Sequence, residues 1–97
     1  MYESTFKTAT EMDLNLHQKM GVHHLTRVLN YAPFIAEGDR ATVHLTPEDW
    51  QVVADTLFQM QTPTDMLPDA IEGYQLAHEN TIIELKTSEY TIELTML

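Results

Sequence analysis

The stretch Thr46-Pro47-Glu48-Asp49-Trp50-Gln51-Val52-Val53-Ala54-Asp55-Thr56-Leu57-Phe58-Gln59-Met60 reads as a helix from cap to last turn. The Thr46 hydroxyl can accept an orphan amide at the helix start, and Pro47 suits the first helical position, where no N–H is needed. Asp49, three residues past the cap, completes a variant of the capping box and sets negative charge against the positive end of the helix dipole. Trp50, Val53, Ala54, Leu57 and Phe58 recur at the spacing of one buried face, while Gln51, Asp55 and Gln59 take the outer side. The only Trp of the chain lies here, so this helix is expected to form the centre of the core. Ala54 is its small member, a place for a neighbour to come close.

Working outward toward the amino terminus, residues 41–45 (Ala-Thr-Val-His-Leu) alternate and predict a short strand with Ala41, Val43 and Leu45 inward. Gly38 in Glu37-Gly38-Asp39-Arg40 provides the turn before it. Thr8 and Glu11 form a capping box, which predicts a helix from residue 8 toward Ala32, ended by Pro33. Leu14, Gly21, Leu25, Val28, Leu29 and Ala32 share one face of it. Met12, Leu16 and Met20 form a second apolar stripe on another side. Gly21 in the middle costs about 1 kcal/mol relative to Ala and suggests a kink. Residues 2–7 alternate weakly and suggest a short edge strand.

Toward the carboxy terminus, Asp65 as cap and Pro68 in the first turn predict a third helix over 65–80. Leu67, Ala70, Ile71, Tyr74 and Ala77 form its apolar face, and Asn80 its end. Residues 81–86 and 90–97 are β-branched and alternating around Thr87-Ser88-Glu89, a hairpin with Ile83, Leu85, Tyr90, Ile92, Leu94 and Met96 inward. The fold class is therefore α+β, one domain over 1–97, in the order α-β-α-α-β-β. That order is shared with winged-helix domains, an analogy of element order alone.

Composition limits the function. Ninety-seven residues, 43% of them hydrophobic, suit one modest core. No cysteine is present, so thiolate catalysis, disulfides and cysteine-bound zinc are excluded. No apolar run reaches the ~18–20 residues of a membrane span. The amino terminus lacks a signal-peptide layout, and the expected address is cytoplasmic.

Charge is the strongest bulk signal. The net charge is −10, and it is uneven: residues 1–47 carry four Lys/Arg against five acids, residues 48–97 Lys86 alone against ten. Such a chain repels nucleic-acid phosphate and anionic lipid, so no direct nucleic-acid or membrane contact is expected, whereas a basic protein surface suits it. The expected third helix holds Asp65, Asp69, Glu72 and Glu79 and no cation, which argues against a DNA-reading winged helix.

Three functional readings follow. The first is a small acidic, non-catalytic interaction module that docks on a basic surface. Its sharper form is an inhibitor of phage or mobile-element type that imitates DNA on a nucleic-acid-binding enzyme. Glu48, Asp49, Asp55, Asp65, Asp69, Glu72, Glu79, Glu84, Glu89 and Glu93 would be its determinants. The second is a winged-helix-like dimeric regulator with the Met12, Leu16, Met20 stripe as its homodimer or partner seam. The third is a metal-responsive module using Asp13, His17 and His24, which lie at related angles on the first helix. His17 and His24 are two turns apart, and an ion pair between Asp13 and His17 explains the same residues. No nucleophile elbow, His-Glu-x-x-His or glycine-rich phosphate loop occurs, and neither an enzyme nor a cofactor is expected.

Overall fold

The computed structural model describes residues 14–97. They form an α+β domain in which two helices pack on one face of a four-stranded mixed sheet. Helix α1 spans Leu16–Ile35, strand β1 Arg40–Leu45 and helix α2 Pro47–Ala54. Strands β2, β3 and β4 span Gly73–Ala77, Ile82–Lys86 and Thr91–Met96. The sheet order is β1-β4-β3-β2, with β1 parallel to β4 and the other pairs antiparallel.

The start of α1 is set by Asn15, not by Thr8. The Asn15 side chain accepts from the Gln18 amide at 2.8 Å, and the Gln18 side chain accepts from the Asn15 amide at 2.9 Å. This reciprocal box satisfies two donors that a helix start leaves orphaned. The expected cap at Thr8 and the edge strand at 2–7 lie outside the described residues. Pro33 does not stop the helix, which runs on to Ile35. Proline there removes one amide bond within the last turn. The Ala36 amide still bonds Ala32 O at 2.9 Å, and Ile35 and Ala36 pack against the core.

Helix α2 begins as its sequence predicts. Thr46 caps it by accepting from the Asp49 amide at 3.1 Å, with Pro47 at the first turn. Trp50, Val53, Ala54 and Leu57 are buried. Over Asp55–Gln59 the helix widens into a π turn, closed by Met60 N to Asp55 O at 2.8 Å. The Trp50 indole donates to Leu94 O at 2.9 Å, which ties α2 to the middle of the sheet.

The expected helix over 65–80 is absent. After a single 3-10 turn at Thr64–Met66, the chain enters β2, whose Tyr74 and Leu76 stand opposite Leu85 and Ile83. The spacing of Leu67, Ala70, Ile71, Tyr74 and Ala77 does fit a helix. However, the apolar strand β3 needs a neighbour, and an alternating Tyr74/Leu76 pair supplies one with a full ladder of backbone bonds. Asn80 does take the left-handed conformation, at φ 68, but in the β2–β3 turn, after His78 and Glu79 at φ 52 and 58. A strand in place of the third helix removes the helix pair that defines a winged helix. The parallel β1–β4 pairing departs from that analogy as well.

The hairpin β3–β4 forms as predicted, with Ile83, Leu85, Ile92 and Leu94 fully buried. Met96, at the end of β4, is exposed instead of inward.

Candidate functional site

Helix α1 positions most of the side chains that could do chemistry. On its core side, Gln18, Gly21, Leu25, Val28 and Ala32 are buried. Gly21 produces no kink. It is where α1 meets the π turn, since a Cβ there would overlap the Thr56 hydroxyl. That hydroxyl donates to Val52 O at 2.9 Å, so it is satisfied although Thr56 is fully buried. Close approach lets α1 and α2 share two imidazole–carboxylate pairs.

His17 Nε2 lies 3.1 Å from Asp55 Oδ2, and Asp55 also accepts from Gln51 Nε2 at 2.8 Å. His24 Nε2 lies 3.4 Å from Asp49 Oδ1. This second contact is not a directed hydrogen bond: His24 Nε2 is buried and has no hydrogen-bond partner among the described residues. The candidate metal ligands His17 and His24 are thus not brought together. His17 faces Asp55 in the π turn and His24 faces Asp49 on α2, and Asp13 lies outside the described residues. Among the described residues no group of three His, Asp or Glu side chains converges on a common point.

His24 and Asp49 also line a cleft of ≈ 550 Å³ between the second half of α1 and the edge strand β1, together with Tyr31, Phe34, His44 and Leu45. His44 Nδ1 is 2.8 Å from Thr95 Oγ1 on the next strand. Such a contact can orient the imidazole. The only described serine, Ser88, stands in the β3–β4 loop at the other end of the sheet.

The ten carboxylates singled out in the sequence are distributed, not gathered. Asp49 and Asp55 face the α1 histidines. Glu93 takes the Arg40 guanidinium and stands directly opposite Glu84, which accepts from Gln75 at 2.7 Å. Asp65 and Asp69 follow along the connector that leads to Glu72, whose amide bonds Lys86 O next to the loop bearing Glu89. Glu79, in the β2–β3 turn, lies at the opposite end of the sheet with Glu48. Glu48, Asp65, Asp69, Glu72, Glu79, Glu84 and Glu89 make no ion pair with another described residue.

Leu16 and Met20 of the apolar stripe are exposed, and Met12 lies outside the described residues. Sequence reasoning missed that exposed apolar residues recur on this side at Tyr31 and Phe34, the latter because Pro33 was expected to end the helix first. The helical spacing itself carried the signal.

No protein-family model, curated protein or solved structure matches this chain. Among the described residues, no helix is long and apolar enough to cross a membrane.

Proposed function

We propose that this protein is a non-catalytic interaction module that docks through its carboxylates on a basic surface of another protein. The observation that carries this reading is segregation of charge. Helix α1 holds Lys19 and Arg27 and no carboxylate, whereas residues 36–97 hold twelve carboxylates against Arg40 and Lys86. From 41 to 85 there is no Lys or Arg at all. Seven of the ten candidate acids lack an ion-pair partner among the described residues, so their field is directed outward. A basic partner would be steered by that field and would release its own counterions on docking. The groove of a nucleic-acid-binding enzyme is the partner class whose charge matches best, and the carboxylates would stand there in place of phosphates.

The test is capture of partners from host lysate at low and at high salt, with the protein immobilised. A nucleic-acid-binding protein held near 0.05 M salt, released near ~0.5 M and displaced by duplex DNA supports the reading, since screening at that ionic strength removes most surface attraction. The variant Asp65→Lys/Asp69→Lys/Glu72→Lys, altered at exposed positions, should lose the partner while keeping its fold. Salt-insensitive capture, or capture unchanged by the triple variant, would overturn it.

A further inference from the structure

The outward face of α1 carries an apolar stripe that nothing among the described residues covers. Leu16 is 74% exposed, Met20 44%, Tyr31 53% and Phe34 84%. With His23 and Arg27 these residues fall within an arc of about 80° of the helix, opposite the buried Gln18, Gly21, Leu25, Val28 and Ala32. A helix that is apolar on two opposite sides has one face for its own core and one for something else.

Two features of the stripe identify the occupant. First, it reads the same from both ends: apolar Leu16 and Met20, basic His23 and Arg27, apolar Tyr31 and Phe34. The paired positions 16 with 34, 20 with 31 and 23 with 27 share a centre near residue 25. An antiparallel two-fold pairing of α1 with itself therefore sets apolar on apolar at both ends of the helix. His23 then meets Arg27 of the other copy at the middle, where an imidazole nitrogen can accept from the guanidinium. A partner of another kind would not require this symmetry. Second, the chain carries net charge −10, so two copies repel through most faces. Helix α1 is the one long element with no carboxylate, so a contact through it sets no carboxylate of that helix against the other copy.

We propose that the protein is a homodimer joined by antiparallel packing of α1 on α1, with Leu16 and Met20 of each copy against Phe34 and Tyr31 of the other. This seats Leu16 and Met20 of the second copy at the mouth of the α1–β1 cleft, which Tyr31 and Phe34 help to line. The proposal is independent of acidic docking, and salt separates the two. Raised ionic strength screens repulsion between copies and strengthens the dimer, whereas it weakens carboxylate docking.

Sedimentation equilibrium of the wild-type protein should give twice the 11.2 kDa chain mass. Phe34→Glu and Leu16→Glu, at exposed positions, should each weaken association by at least about tenfold, the loss of ~1.4 kcal/mol of binding. The chain has no cysteine, so orientation can be read by oxidation. A mixture of Leu16→Cys and Phe34→Cys chains should cross-link into heterodimers faster than either variant alone. A wild-type monomer, association unchanged by Phe34→Glu, or Leu16→Cys chains that cross-link to themselves as fast as to Phe34→Cys would each overturn the proposal.

Discussion

Gly21 of α1 and Thr56 of the π turn are in direct van der Waals contact, with no room for a side chain between them. This contact sets how closely the two helices pack, and with it the reach of His17 to Asp55 and of His24 to Asp49.

Gly21→Ala is therefore expected to destabilise the protein. In an isolated helix the change would be favourable by about 1 kcal/mol, but overlap with a buried, hydrogen-bonded threonine costs about 1–3 kcal/mol or more. Because Thr56 Cβ is also too close, Thr56→Ala should rescue little. Urea unfolding of the single and double variants measures both; a stabilised Gly21→Ala would contradict the close packing.

Trp50→Phe should lower stability by about 1–3 kcal/mol. It removes the indole donor to Leu94 O and part of the central apolar surface, both at a buried site. For a domain of this size each kcal/mol shifts the melting temperature by about 4–8 °C, so calorimetry should resolve the change.

Glu79→Gly should stabilise by about 0.5–1 kcal/mol. Three successive residues in the β2–β3 turn have positive φ, a conformation that costs side-chain-bearing residues about 1–2 kcal/mol each. Glycine escapes that cost, and its greater freedom in the unfolded chain offsets part of the gain. Glu79 is exposed and forms no ion pair with a described residue, so little else changes. A fall in melting temperature would refute this.

Glu84→Lys should stabilise by about 0.2–1 kcal/mol at low salt. Glu84 and Glu93 face each other across β3 and β4, and like charges so placed are unfavourable. The gain should shrink as salt is added, because the outer face of the sheet is accessible to counterions. Denaturation at two ionic strengths separates this electrostatic effect from any change in packing.

Local chemistry was enough to read much of the fold. Thr46 and Pro47 fix the start of α2 through bonds made within four residues. Alternation in β1, β3 and β4 and the buried side of α1 follow from the period of each element. The same reasoning failed where two periods fit one segment. At 65–80 the apolar positions suit a helix, yet Tyr74 and Leu76 also alternate, and only the unmet edge of β3 decides between them. At Pro33 the expected break did not occur, since packing of Ile35 holds the last turn. The candidate site was less legible than the fold, because its pairs, His17 with Asp55 and His24 with Asp49, join residues far apart in the chain.

The sequence by itself determined the α+β class, the capped start of α2, the carboxy-terminal hairpin and the concentration of negative charge after residue 47. Each of these rests on interactions between near neighbours or on composition, which need no knowledge of what lies across the core. The tertiary structure alone decided that residues 73–77 form a strand and that Gly21 is a contact point, not a kink. It also decided that His17 and His24 of α1 face Asp55 of the π turn and Asp49 of α2, and that exposed apolar side chains stand at both ends of the helix. These depend on which surfaces meet, because burial and backbone pairing across the core outweigh the weak local preferences of a short segment.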